Sequence, residues 1–204
     1  MSKRTIIILV FLVFVLGCYG LPEKHAAITG SASTPGCEKV AVSVTELYTW
    51  HSWRIPDMSG WSQRGTDVLP VFSWQKAVIY WYEPARKSVK KVFEIWPPGG
   101  FKDRFSVRLD WWDNNGLYSV VSGCTPQKGK RDCYPPNYAY KKLKNDGRIV
   151  DIITIPAPPK EISDSYKICT VYLRGNEVTI GPNGGPWTPI LRLNDKGDLE
   201  VLTQ

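Results

Sequence analysis

The sequence predicts a mainly β protein, an antiparallel β-sandwich or barrel of roughly nine or ten short strands with little helix. Val, Ile, Thr, Tyr and Trp are plentiful in the middle of the chain, and strong helix formers are sparse there. Short segments of this kind alternate with turn signals rich in Gly, Pro, Asn and Asp. The 204 residues are 43% hydrophobic and 22% charged, which is typical of a globular domain with a sizeable core.

The first strand signals follow residue 37. Val40, Val42 and Val44 alternate with smaller residues, so we expect their side chains on one face of a strand. The segment 76–82 is rich in β-branched and aromatic residues, and the segment 88–96 alternates in part, which favours two further strands.

Three hairpins are predicted, because turn residues separate pairs of strand segments. The first has its turn at residues 113–116, Asp-Asn-Asn-Gly, and the others turn at Gly175-Asn176 and at residues 194–197. Strict alternation in the strand before the first turn places one set of side chains on a common face: Phe105, Val107, Leu109 and Trp111.

Residues 1–20 have the features of a signal peptide. Lys3 and Arg4 precede an apolar run over residues 5–16, which is too short to span a bilayer comfortably. We therefore exclude this segment from the fold and expect the remaining chain to be exported.

The signal peptide can end in two ways. Val15-Leu16-Gly17-Cys18 resembles a bacterial lipobox, in which Cys18 carries palmitate and becomes the first residue of a lipoprotein. The lipid anchor would then hold the protein at the outer membrane, facing the periplasm. Ordinary cleavage after Gly20 would instead remove Cys18 and give a secreted protein.

Residues 21–36 are rich in Ser, Thr, Gly, Ala and Pro, and this composition predicts a flexible tether. The remainder, residues 37–204, is expected to form a single β domain. The formal charge of +7 allows attraction to acidic partners or to an anionic membrane surface.

Four cysteines remain in the exported chain: Cys37, Cys124, Cys133 and Cys169. An even number in an exported protein predicts two disulfide bonds, which three pairings could satisfy. Cys124 and Cys133 are close enough in sequence to close a local loop, and Cys37–Cys169 would then join the ends of the domain. We predict no metal site and no cofactor, because a C-x₂-C pair is missing and the chain has only two histidines.

Tryptophans in the turn-rich segment 50–61 form one candidate binding surface. Trp50, Trp53 and Trp61 could stack on sugar rings or insert at a membrane interface, although packing within a small β domain would also explain them.

The segment 123–147 is the other candidate, because it combines basic residues with tyrosines. Such a surface can bind an acidic protein or phospholipid headgroups, whereas export argues against nucleic acid. A solvated loop is the alternative interpretation. The candidate partner-binding residues of this segment are Lys128, Lys130, Arg131, Tyr134, Tyr138 and Tyr140.

Catalysis has little support in the sequence, since the common nucleophile, zinc-protease and P-loop motifs do not occur. Asp110 and Glu94 could pair across neighbouring strands, and paired carboxylates can hydrolyse glycosides. A glycan-active enzyme is therefore the third function to consider, although acids on the polar face of a strand are usually solvated.

The order of several features resembles small bacterial lipoproteins encoded beside type VI secretion effectors. The shared features are the lipobox at Cys18, Leu69-Pro70 shortly before Trp74, and a strand that ends at Trp81. The resemblance implies a periplasmic immunity protein, which neutralises a toxin by covering it and needs no catalytic residues. It transfers no specific functional residue to this chain.

A second resemblance is to actinoporin-like membrane-binding proteins. The sequences KVAV from Lys39, GTDVLP from Gly65, KAVIY from Lys76 and FSVRLDWW from Phe105 are similar to landmarks of that family in the same order. The resemblance implies a headgroup pocket.

That pocket would use Ser106, Tyr134 and Tyr138. Arg108 stands where the family has Pro, Asn114 replaces a pocket Tyr, and Leu117 replaces a membrane-anchoring Trp. The short polar segment 21–38 provides no pore-lining helix, so this resemblance implies lipid or glycan binding without pores.

The sequence as a whole predicts an exported, lipid-anchored, non-catalytic binding protein. Its expected partner is another protein in the periplasm, such as a secreted toxin. A secreted membrane- or glycan-binding module is the alternative.

Overall fold

The computed structural model describes residues 5, 22–51, 70–97, 103–124, 137–165 and 168–202. These residues form three four-stranded antiparallel sheets, which confirms the mainly β prediction and is consistent with a β-sandwich. Twelve strands lie in this part of the chain, two more than the upper end of the predicted range.

Each sheet is built from four strands that are consecutive in sequence and paired in that order. The first sheet contains β1 (Glu23–Ser33), β2 (Val40–His51), β3 (Pro70–Glu83) and β4 (Ser88–Ile95). The second contains β5 (Asp103–Asp113), β6 (Gly116–Cys124), β7 (Asn137–Lys144) and β8 (Ile149–Ile152). A short helix, α1 (Lys160–Ser165), precedes the third sheet, which contains β9 (Thr170–Arg174), β10 (Glu177–Gly181), β11 (Thr188–Leu193) and β12 (Leu199–Val201).

The chain divides into two compact units. The first comprises residues 1–24 and 47–74, and in its described part the rings of Tyr48 and Trp74 stack with their centroids 5.1 Å apart. The second comprises residues 25–46 and 75–204 and contains two hydrophobic cores.

Strand β2 contributes to both cores of the second unit. Ala41 belongs to a core that also contains Leu117 of β6 and Leu143 of β7. Val40, Val42 and Val44 are fully buried in the other core, beside Val178 of β10 and Leu191 of β11. Successive side chains of a strand point to opposite faces. Within this unit the first sheet is therefore a central layer between the second and third sheets, and the predicted common face of the three valines is confirmed.

The prediction of a tether over residues 21–36 is wrong for residues 23–33, which form β1. The hydroxyl of Thr29 lies 3.0 Å from that of Thr45 on β2 and donates a hydrogen bond to the carbonyl of Val107 on β5. A Cβ atom at Gly30 would lie 2.7 Å from the backbone nitrogen of Leu109. The small and polar composition therefore reflects a close approach between strands, which a sequence pattern cannot distinguish from a linker.

The hairpin of β5 and β6 forms as predicted, but Trp111 lies on the face opposite to the one predicted for it. The register of the two strands shifts between Leu109 and Trp112, where β5 contains one extra residue. This β-bulge reverses the alternation. Trp112 therefore joins the core with Phe105 and Leu109, and the prediction that Trp111 shares that face is wrong.

Both remaining hairpins are confirmed. β9 and β10 pair on either side of Gly175-Asn176, and β11 and β12 pair around residues 194–197. Gly175 has a φ of 60°, a left-handed conformation that glycine adopts without steric penalty.

A disulfide bond joins Cys37 and Cys169, as one of the predicted pairings requires. It links residues that are 132 positions apart in the sequence. The proposed partner pair, Cys124 and Cys133, cannot be assigned, because Cys133 and the side chain of Cys124 lie outside the described part of the chain.

Candidate binding surface

The second sheet has one face on the core and one face turned away from it. Leu117 pairs with Leu143, and both are core residues. Directly paired residues share a face, and successive residues of a strand alternate between faces. The pairs of β6 and β7 that lie one, three or five positions from Leu117–Leu143 are therefore on the opposite face. We call this opposite face of β5–β8 the outer face. Its paired residues include Ser106, Arg108, Tyr118, Val120, Ser122, Tyr138, Tyr140 and Lys142.

Tyr138 is the most exposed aromatic residue of the outer face, with 57% of its surface accessible. It lies one residue after the start of β7, opposite Ser122 near the end of β6. These two strand ends are joined by residues 125–136, so the predicted basic segment leaves and re-enters the sheet beside Tyr138. Tyr140 lies two residues further along the same face and is half-buried.

A pair of hydroxyl groups lies beside Tyr138 on the outer face. The Oγ atoms of Ser106 and Ser122 are 2.8 Å apart, within hydrogen-bonding distance. Each hydroxyl can still donate or accept a further hydrogen bond. The exposed ring and the two hydroxyls together could contact a polar ligand or a partner backbone.

A second cluster occupies the other end of the outer face and joins three strands. Nζ of Lys142 donates hydrogen bonds to Oδ2 of Asp113 at 2.6 Å and to the hydroxyl of Tyr118 at 3.0 Å. The Tyr118 hydroxyl in turn donates to the same carboxylate at 3.2 Å. Lys142 is therefore already paired and contributes little free positive charge to a partner.

Burial disfavours the charged forms of Asp113 and Lys142, but the hydrogen bonds and the charge attraction of the cluster together outweigh this effect on both pKa values. The Asp113 carboxylate accepts hydrogen bonds from Lys142 and from the backbone N–H of Asn115, and these bonds hold the pKa of the carboxyl below its usual value. The bonds of Lys142 with Asp113 and Tyr118 likewise raise the pKa of its ammonium group. Both shifts favour the charged forms, so Asp113 and Lys142 form an ion pair at neutral pH.

A proline-rich segment lies over the aromatic residues of this cluster. The indole nitrogen of Trp111 donates a hydrogen bond to the carbonyl of Pro156 at 3.0 Å, and its ring packs on Tyr118 with the centroids 4.5 Å apart. Both rings are buried, whereas residues 156–159 are exposed. This part of the outer face is thus already covered by the protein's own chain.

The geometry does not support the carboxylate pair suggested for glycoside hydrolysis. Glu94 lies on β4 and Asp110 on β5, and these strands belong to different sheets, so they are not neighbours. Glu94 instead contacts Lys91 and Lys76, whose hydrogen bonds lower the pKa of its carboxyl. A carboxyl with a lowered pKa is a poor general acid at neutral pH.

Most of the predicted binding residues lie outside the described part of the chain. This applies to Cys18, Trp53, Trp61, Lys128, Lys130, Arg131 and Tyr134, and to the side chain of Trp50. Of the predicted partner-binding side chains, Tyr138 and Tyr140 are described, and they share one face.

The sequence did not indicate the cluster of Asp113, Tyr118 and Lys142. Tyr118 and Lys142 are directly paired, but their pairing depends on the length of the connection between β6 and β7, which sequence patterns do not determine. Among the described residues, no group of three or more potential metal ligands occurs, and no helix is long and apolar enough to cross a membrane.

No family model, curated protein or solved structure matches this chain.

Proposed function

We propose that the protein is an exported, non-catalytic binding protein, anchored through a lipid at Cys18, whose partner is another protein. The partner engages the outer face around Tyr138 together with the basic segment 125–136. A periplasmic immunity protein that neutralises a toxin is the specific form of this proposal.

The observation that carries the proposal is the position of Tyr138. Tyr138 is 57% exposed, and its strand pairs with β6 on one side and β8 on the other. Exposed tyrosines on rigid elements supply large contact area at low cost in conformational entropy. The adjoining segment contributes Lys128, Lys130 and Arg131, which would complement an acidic partner.

Site-specific photo-crosslinking in the organism from which the protein derives tests the proposed surface. A benzoylphenylalanine at position 138 should form a cross-link to one protein, whereas the same group at position 172, on β9 of the third sheet, should not. The captured protein is then purified and titrated against the wild-type chain and a Tyr138→Ala variant. We expect binding to weaken at least about tenfold, as for an interface hot spot, and to weaken further at high salt. Equal affinity of the two chains would refute the proposed surface.

The lipid anchor is tested separately by palmitate labelling. Wild-type protein should incorporate the label, and Cys18→Ala should abolish it. A wild-type chain that stays unlabelled in a host that labels a control lipoprotein would show that the protein is secreted without an anchor.

The second candidate function is membrane or glycan binding at the same face. The hydroxyl pair of Ser106 and Ser122 favours it, because hydroxyls beside an exposed ring suit a phospholipid headgroup or a sugar. Sedimentation with phosphatidylcholine–sphingomyelin vesicles should then weaken for Tyr138→Ala and be retained for Tyr138→Phe. Absence of sedimentation for the wild-type chain would exclude this membrane function.

A further inference from the structure

A second aromatic surface lies on the third sheet, away from the outer face described above. Tyr172 of β9 and Trp187, immediately before β11, pack edge to face with ring centroids 3.9 Å apart. They remain 41% and 37% exposed. They border a cavity of about 500 Å³ that is also lined by Arg174, Glu177, Thr179 and Pro189. This volume is within the range of small-ligand sites, about 300–1,000 Å³.

The loop 182–187 holds Trp187 in this position. A Cβ atom at Gly181 would lie 2.3 Å from the carbonyl oxygen of Pro186 and 2.9 Å from the indole ring. Only glycine therefore lets the loop fold back onto the end of β10. On the other side, the hydroxyl of Tyr172 donates a hydrogen bond to the side chain of Asn183 at 3.3 Å, so both rings are tied to the loop.

Two donors at the cavity are available to a ligand. Within the described residues, neither the indole N–H of Trp187 nor the guanidinium of Arg174 has a hydrogen-bond partner. Thr179 differs, because its buried hydroxyl donates to the carbonyl of Tyr172 and stabilises the floor of the cavity.

The charges beside the cavity are balanced across the sheet. Arg174 pairs in register with Glu177, Glu177 with Arg192, and Arg192 with Glu200. Two positive and two negative groups alternate along this row, and Glu177 accepts a hydrogen bond from Nε of Arg192 at 3.0 Å. A highly charged ligand such as nucleic acid would gain little from this arrangement.

We propose that this cavity is a carbohydrate-binding site that takes a pyranose ring of an oligosaccharide. A sugar ring combines a C–H face, which packs on Trp187 and Tyr172, with oxygen atoms that accept hydrogen bonds from the indole N–H and from Arg174. Its uncharged or weakly acidic character agrees with the balanced row of charges. The site is independent of the proposed protein-binding surface, because its residues lie on β9–β11 and not on β5–β8.

The test begins with the wild-type chain on a microarray of neutral and acidic oligosaccharides. The strongest glycan is then measured by titration calorimetry. Trp187→Ala should weaken binding at least about tenfold, which corresponds to about 1.4 kcal/mol. Trp187→Phe should have a smaller effect, because it keeps a ring but removes the N–H donor.

Two variants serve as controls. Trp96→Ala removes another exposed tryptophan, 53% accessible, and should leave glycan affinity unchanged. Tyr138→Ala should also leave it unchanged, which separates this site from the outer face. Melting temperatures establish that each variant is folded.

Three results would overturn the proposal. They are no glycan bound on the array, equal affinity of the folded Trp187→Ala variant, or stronger binding of a decaproline peptide than of any glycan. The last result would assign the cavity to proline-rich peptides, which also use aromatic-lined grooves.

Discussion

The ammonium group of Lys142 and the carboxylate of Asp113 lie 2.6 Å apart on the outer face, although β6 separates the strands that carry them. The hydroxyl of Tyr118, on β6, contacts both groups. The three side chains therefore join β5, β6 and β7 independently of the backbone ladder.

Removal of the carboxylate charge should destabilise the protein. In Asp113→Asn, the largely buried ammonium group of Lys142 would lose its ionic partner, and we expect the free energy of unfolding to fall by about 1–3 kcal/mol. Chemical denaturation measures this change. Asp151→Asn is the matched control, since Asp151 is 80% exposed where it pairs with Lys141, and it should change stability by less than about 1 kcal/mol. Equal losses of stability in the two variants would argue against a special role of the partly buried pair Asp113–Lys142.

The same pair should make stability depend on pH at both extremes. The pKa of Asp113 is lower in the folded protein than its ordinary value of 3.8, so its contribution is present above that value and is lost as the pH falls through the lowered pKa. The pKa of Lys142 is raised above 10.5, so its contribution is present below pH 10.5 and is lost as the pH rises through the raised pKa. Denaturation midpoints measured from pH 2 to pH 5 should therefore decline less steeply toward acid in Asp113→Asn than in the wild-type chain. Parallel curves would contradict this assignment.

Reduction of the Cys37–Cys169 disulfide should destabilise the domain strongly. The bond closes a loop of 132 residues, and in the chain-entropy treatment a loop of this size contributes about 4–5 kcal/mol. The double variant Cys37→Ala/Cys169→Ala should show this loss in chemical denaturation without reductant. Adding reductant to the double variant provides the control, and any further loss would reveal a second structural disulfide. A double variant as stable as wild type would show that the bond contributes no net stability.

Addition of one methyl group at Gly30 should disturb the packing of β1 on β5. The new Cβ would lie 2.7 Å from a backbone nitrogen, which cannot move as a side chain can, so Gly30→Ala should cost about 1–3 kcal/mol. Gly36→Ala is the comparison, because its Cβ would meet nothing within 4 Å and only its positive φ of 74° is unfavourable. Thermal unfolding of the two variants measures the loss of stability. A smaller loss in Gly30→Ala than in Gly36→Ala would contradict the close approach of β1 to β5.

Local patterns predicted the hairpins of this fold well, because a two-residue turn at Gly175-Asn176 determines which residues pair. The alternation of Val40, Val42 and Val44 likewise predicted a buried face. The β-bulge before Trp112 was not predictable, because it places Trp112 in a core with residues that are distant in sequence, such as Ile79 of the first sheet.

The binding surfaces were predicted less completely than the hairpins. Tyr138 was identified from the spacing of tyrosines among basic residues, and the structure places it on an exposed face. Trp187 gave no comparable signal, because its exposure depends on the close approach of residue 186 to Gly181. Contacts of this kind join residues through space, and the residue types alone do not indicate them.

The position of β2 between two cores has a consequence for the order in which the chain is made. Synthesis completes β2 before any residue of the second or third sheet exists, so the two faces that those sheets cover in the folded protein are at first exposed. The face of Val42 stays uncovered until β10 and β11 are made, close to the end of the chain. A chain truncated before residue 177 would leave that face open to other unfinished chains. The last strands are therefore needed to protect one of the first from aggregation.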